Sequence, residues 1–295
     1  MFFFIFDFFI NVWSFSPERL LFVTQFLIGL LLAGAIAWVA YRRGSLSRSG
    51  ALGAIFIGTV IFGMGGWAWG VLLVVFFVSS SALSHYKEQR KAALAEKFSK
   101  GHRRDIWQVL ANGSVGALCV LGFALWPGSL WWAAYAGALA TVNADTWATE
   151  LGVLAKTAPR LIITGQPVEV GTSGGVTPAG MGAALAGAAL IGLTAALFDF
   201  VAGQSLSSSF LLSLIAIVSG LAGSLVDSLL GATVQAIYFC ERCGKETERH
   251  PLHSCGQPTR FLRGLRRLDN DWVNFLSSIA GTALAAGLWW IVAPV

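Results

Sequence analysis

The stretch GALGAIFIGTVIFGMGGWAWGVLLVVFFVSSSAL, residues 50–83, contains no charged side chain and is longer than one membrane crossing requires. A helix spans the hydrocarbon core of a bilayer with about 20 apolar residues, so this block divides into two crossings, the first of them short. The break belongs at GMGGW, Gly63–Trp67, where three glycines cluster. Further apolar runs lie near 20–41, 108–126, 130–155, 179–200, 208–238 and 271–293. The expectation is an all-α polytopic membrane bundle of about eight transmembrane helices.

Composition and charge agree with that reading. Of 295 residues, 56% are hydrophobic and 12% charged, about half the charge of an ordinary soluble domain, which excludes a water-soluble globule. Nineteen of the 20 Lys and Arg fall in four loops, at 42–50, 84–107, 156–178 and 239–270. Basic loops stay on the cytoplasmic side, so these four share that side and both termini are expected on the other. The net charge of +5 is then a consequence of topology, and no nucleic-acid partner is expected. The basic stretch HYKEQRKAALAEKFSKGHRR, His85–Arg104, reads as a helix held against anionic headgroups. The opening MFFFIFDFFINVW is short, is interrupted by Asp7 and lacks a basic leader, so residues 1–19 are expected to form an interfacial segment.

Acids inside membrane helices are costly and mark functional candidates. Three groups qualify: Asp145 and Glu150 in TVNADTWATELG, Asp227 in GSLVDSLLGATVQ, and Asp269 with Asp271 in LDNDWVNFLSS. All lie at or near the cytoplasmic ends of their helices under the assigned topology. On a regular helix Thr141, Asp145 and Thr149 share one face, and Asn143, Thr146 and Glu150 share another. Asp145 and Glu150 therefore cannot aim at one point: either the helix is distorted, or one acid meets a ligand while the other holds a neighbouring helix. Ser224, Asp227, Ser228, Gly231 and Gln235 form a stripe that serves close helix packing as readily as chemistry. Asp269 suits a helix N-cap, whereas Asp271 and Asn274 share a face as oxygen donors.

The loop EVGTSGGVTPAGMG, 169–182, runs Gly-rich into a Thr177–Pro178 helix start. Backbone N–H groups at such a turn bind anions. Oxygen donors beside an anion loop suit Mg²⁺ held by carboxylates and substrate phosphates, with charge neutralisation, not a strong base, driving transfer. Arg263, Arg266, Arg267, Lys156 and Arg160 are candidate positive charges. No Ser-His-Asp arrangement is present, since the histidines at 85, 102, 250 and 253 all lie in loops. The sequence CERCGKETERHPLHSCGQ offers Cys240, Cys243, His253 and Cys255 in two Gly-ended turns, a zinc-knuckle-like set whose filled tetrahedron implies a structural Zn²⁺. Cys119, inside a span, reads as packing.

Taken in order, NADTWATELG, GTSGGVTPAG, GSLVDSLLGATVQ and DNDWVNFLSS resemble the integral membrane family of transmembrane protein 19, a likeness covering about residues 20–290. That family includes the plant phytyl-phosphate kinase. The resemblance implies phosphoryl transfer from a nucleoside triphosphate, CTP or ATP, to an isoprenyl monophosphate such as phytyl or geranylgeranyl phosphate, within a lipid bilayer. Ala144–Thr146 is also similar to the acidic motif of membrane CTP-using enzymes. By matching position, Asp145, Asp227 and Asp271 would be catalytic, with Asp269 completing the Mg²⁺ ligands. Asn143, Thr149, Glu150, Gly171, Thr172, Ser173, Gly174, Gly175, Thr177, Ser228, Asn270 and Asn274 would bind substrate, with Arg263 and Arg267 nearby. Residues 20–295 would form a single transmembrane catalytic domain carrying the knuckle-like insertion at 239–258. The alternatives are a membrane cytidylyltransferase forming a CDP-linked lipid and a secondary transporter, the latter suggested by the similarity of GALATVNADT (137–146) to GLAGSLVDS (220–228). The oligomeric state is left open.

Overall fold

The structure is a computed structural model and describes residues 17–92 and 103–293. Residues 1–16 of the expected interfacial segment 1–19, and residues 93–102 of the basic stretch, lie outside the described residues, while Pro17–Arg19 belong to the first long helix. Nine helices are found among those described: α1 (Pro17–Arg42), α2 (Arg48–Gly65), α3 (Trp67–His85), a short α4 (Glu88–Ala92), α5 (Ile106–Leu125), α6 (Ser129–Gly152), α7 (Pro178–Val201), α8 (Leu206–Thr233) and α9 (Asn270–Val292). Two small antiparallel sheets lie between them. One pairs β1 (Arg160–Leu161) with β2 (Gly175–Val176); the other has the order β4-β3-β5, from β3 (Ile237–Cys240), β4 (Lys245–Thr247) and β5 (Arg260–Arg263).

The chain reads locally as its capping residues dictate. The uncharged block breaks at Gly66, whose φ of 83° lies in the left-handed region, so α2 and α3 meet with a single residue between them. Asp105 and Gln108 form a reciprocal capping box at the start of α5. Thr177 accepts from the Gly180 N–H at 2.9 Å with Pro178 at the first helical position of α7. Asp269 accepts from the Trp272 N–H at 3.1 Å, so it is the N-cap of α9.

Seven of the eight long helices are long and apolar enough to cross a membrane. The exception, α6, is equally long and lies at the centre, with every residue from Ala133 to Ala144 buried. A helix wrapped by other helices need not match the polarity of lipid, which explains its lower apolar content. Around it stand α3, α5, α7, α8 and α9, with α1 flanking α2 at the periphery. Outward-facing Leu31, Trp38, Leu193, Leu197 and Trp290 supply the lipid-facing surface.

Small residues set how closely these helices approach. A Cβ at Gly137 would overlap Ala285 of α9, and one at Gly281 would overlap Thr141. A Cβ at Gly220 would stand 2.8 Å from Ala140, and at Gly223 it would collide with Thr141. The buried Asn143 amide ties three helices together, accepting from Ser79 and Ser80 of α3 at 3.1 and 3.2 Å and donating to the Gly187 carbonyl of α7 at 2.8 Å.

Gly137→Val is expected to lower stability in detergent by about 1–3 kcal/mol or more through overpacking. Gly34→Val, where nothing lies within 4 Å of the added Cβ, should change the thermal midpoint little. Equal midpoints for the two variants would contradict this packing.

Candidate active site

Close packing of α6 on α8 determines where the acids meet. One turn beyond the Thr141–Gly223 contact on both helices, Asp145 and Asp227 stand carboxyl against carboxyl in hydrogen-bonding contact. Ser277 of α9 donates to Asp227 Oδ2 at 3.0 Å. Among the described residues no lysine or arginine reaches either acid. Two buried carboxyls side by side cannot both be ionised without a cation, or must share a proton.

The pair lies in the wall of a cavity of about 310 Å³, where the C-terminal ends of α6 and α8 face the N-terminal ends of α7 and α9. Of the residues singled out in the sequence, the lining includes Thr149, Glu150, Gly171–Gly175, Thr177, Ser228, Asn270, Asp271 and Asn274. The Gly-rich loop forms one wall. Gly171 and Gly174 adopt φ of 82° and 81°, and Gly174 presses against Ala232 at the end of α8. Thr172 and Gly175 spend their N–H groups inside the loop, on Glu169 and Thr172 carbonyls. Among the described residues, the N–H groups of Gly171, Ser173 and Gly174 make no such bond. Positive helix ends at α7 and α9 add to the anion-attracting character of this wall.

Glu150 lies at another part of the cavity wall, turned from Asp145 as the helical spacing requires and committed to the end of α3. Its Oε1 accepts from Ser84 at 2.6 Å and its Oε2 pairs with Lys91 at 2.5 Å. Lys91 also donates to the Leu83 and Ser84 carbonyls at the end of α3. The helix is therefore regular, with Asp145 on the cavity side and Glu150 holding its neighbour.

Seven expected residues stand outside the cavity lining: Asn143, Asp269, Arg263, Arg266, Arg267, Lys156 and Arg160. Asn143 is spent on the helix contacts above, and Asp269 on its cap. Arg263 donates to the Gly231 and Ala232 carbonyls at 3.2 and 2.9 Å, closing the C-terminal end of α8. Arg267 is exposed and away from the lining. Arg266 lies over Phe261, and Arg160 donates to the Gly165 carbonyl. Among the described residues, the cations that line the cavity are Lys91 and Arg104, both within a stretch that membrane topology alone accounts for. Glu248, Gln108 and Asn112 also line it without having been singled out.

Glu248 arrives from the cysteine-bearing unit. Cys240, Cys243, His253 and Cys255 bring their ligand atoms within 4.8 Å of one another, a group able to hold a metal ion. A hydrogen bond from His253 and one from the Gln257 backbone hold the Cys255 thiol down at about 6, favouring the thiolate that metals bind. The unit is coupled to the cavity through Gln235. Ser173 Oγ donates to Gln235 Oε1 at 2.6 Å, and Gln235 Nε2 donates to Glu248 Oε1 at 2.8 Å.

Residues 31–282 match the integral membrane protein DUF92 family. The chain belongs to that family. This agrees with the transmembrane protein 19 resemblance. The DUF92 chain is 34% identical to Protein PGR of Arabidopsis thaliana over 89% of its length and 95% of that protein. It is 31% identical to an uncharacterized membrane protein of Methanocaldococcus jannaschii, over 70% of its length and 81% of the relative. No solved structure matches it.

Two buried carboxyls in contact without a basic partner among the described residues carry a desolvation cost, which an amide in place of one of them reduces. Asp145→Asn is expected to raise stability by about 1–2 kcal/mol in chelator-containing detergent; a fall in thermal midpoint would refute the pairing. Gln235→Ala should speed hydrogen exchange across residues 169–177 while the long helices remain protected, measurable by mass spectrometry.

Proposed function

We propose that the cavity transfers the γ-phosphoryl group of a nucleoside triphosphate, CTP or ATP, to an isoprenyl monophosphate such as phytyl or geranylgeranyl phosphate. The observation that carries this reading is the Asp145–Asp227 contact, with no lysine or arginine on it among the described residues, beside a glycine loop in which the Gly171, Ser173 and Gly174 N–H groups make no backbone bond among those residues. Such a site asks for a divalent cation and a phosphate together. Asp145, Asp227 and Asp271 would hold Mg²⁺, which when bound supplies neutralisation of the phosphoryl oxygens. Cys240, Cys243, His253 and Cys255 would hold Zn²⁺ in a structural role, because all four tetrahedral positions are filled by the protein.

The chain's own groups account for the remaining requirements. Backbone N–H groups at Gly171, Ser173 and Gly174 would receive the triphosphate, and the α7 N-terminus beyond Thr177 would favour its charge. Asn270 and Asn274 offer neutral polar contacts at the opposite helix start. A terminal oxygen of the acceptor monophosphate attacks the γ-phosphorus, the bond to the β-phosphate oxygen breaks, and the nucleoside diphosphate leaves. The acceptor oxygen is already anionic, so no strong base is needed. In the proposed topology this chemistry takes place at the cytoplasmic face of the membrane.

Purified protein with geranylgeranyl monophosphate, Mg²⁺ and labelled CTP or ATP is expected to give the lipid diphosphate and nucleoside diphosphate. Asp145→Asn and Asp227→Asn should each reduce turnover by about 100-fold or more, as loss of a charge-stabilising group does. Release of pyrophosphate with a CDP-linked lipid would instead establish a cytidylyltransferase. Full activity in both variants would remove the carboxylate pair from the chemistry.

A further inference from the structure

A second, apolar hollow of about 80 Å³ lies between α1, α2, α3 and α5, lined by residues that include Ala37, Ile57, Leu73, Val74 and Phe77. It shares three residues with the polar cavity: Arg104, Gln108 and Asn112. The apolar hollow and the polar cavity thus adjoin at one polar seam. Asn112 lies one turn along α5 from Gln108, and Arg104 immediately precedes that helix.

Arg104 is held there by backbone bonds. Its N–H donates to the Ser45 carbonyl, and its own carbonyl accepts from the Ser47 N–H, both at 3.0 Å. The guanidinium lies over Phe76 and Phe77 with centroid distances of 5.9 and 5.6 Å, and reaches Ser81 at 3.5 Å. Among the described residues no carboxylate lies within ion-pair distance of it; the acidic charge acting on it is that of Glu150, which is itself paired with Lys91. A half-buried guanidinium whose only anionic neighbour is already shared is suited to a phosphate, which Arg recognises bidentately.

Resting on the phosphoryl-transfer reading, we infer that this seam is the acceptor-lipid subsite. Arg104, flanked by Gln108 and Asn112, binds the phosphate of a single-chain lipid monophosphate, and the apolar hollow receives the first carbons of its tail. The small volume suits one narrow chain whose remainder stays in the bilayer, and excludes the paired chains of a diacyl phospholipid. Val74 and Leu73 set the width of the tail passage, while Arg104 selects the phosphorylated lipid over its parent alcohol.

The test is direct binding to the full chain in nanodiscs of neutral lipid, measured by native mass spectrometry without nucleotide. Geranylgeranyl monophosphate should bind at least tenfold more tightly than geranylgeraniol, phosphatidic acid or inorganic phosphate. Arg104→Gln should erase the preference for monophosphate over alcohol, and Arg104→Lys should restore part of it. Val74→Trp should weaken geranylgeranyl monophosphate about tenfold but leave dimethylallyl monophosphate unaffected; Leu73→Trp provides the same test if Val74→Trp does not fold. Unchanged binding in the Arg104 and tail variants, or equal binding of phosphatidic acid, would overturn the subsite. Binding as expected with no diphosphate formed would retain the subsite and defeat the kinase reading; turnover insensitive to these variants would do the reverse.

Discussion

The contact between Asp145 and Asp227 is the constraint around which the molecule is arranged. Two acids in the interior of a membrane bundle carry a desolvation cost, and placing them against each other adds repulsion whenever both are charged. Among the described residues Ser277 donates to the pair and no basic side chain reaches it. A structural role would be better served by apolar residues of similar volume, since buried charge rarely improves stability. On the proposed function, the missing positive charge is that of the bound cation.

What forces the acids together is the absence of side-chain bulk one turn earlier. Gly220 and Gly223 let α8 lie on Ala140 and Thr141, and Gly281 lets α9 reach the same Thr141 from the other side. Along both α6 and α8 the next turn carries the acid. The two similar segments, GALATVNADT and GLAGSLVDS, are thus side by side, and their likeness serves a shared packing register. The short distance between helix axes and the position of the carboxylates are one geometric fact.

The periphery of the cavity is fastened from two directions. Lys91 joins Glu150 to the last carbonyls of α3, where a cation also suits the helix dipole. On the other side Gln235 links the glycine loop to Glu248, so the unit holding the four metal-binding side chains reaches the cavity wall. Arg263 closes the end of α8 between these parts. Each fastening engages one side chain with groups far away in sequence, which is why residue type alone did not reveal it.

The sequence by itself determined the long apolar helices, a break within Gly63–Trp67, the Thr177–Pro178 helix start, the capping preference of Asp269, and the angular separation of Asp145 and Glu150 on a regular helix. These follow from local rules: bilayer thickness, backbone freedom, capping and the helical repeat. It also marked Asp145, Asp227, Asp271 and the glycine loop, because intramembrane acids and Gly-rich helix starts are costly or conformationally specific wherever they occur. Tertiary structure alone decided which polar side chains face the cavity and which are consumed elsewhere. Asn143 and Arg263 have the chemistry of ligand-binding groups but satisfy nearby carbonyls, whereas Lys91, Arg104 and Glu248 are drawn to the cavity from stretches that look like ordinary charged loops. The physical reason is that a hydrogen-bonding group is committed by whichever partner lies within about 3 Å, and that distance is set by helices meeting across the fold.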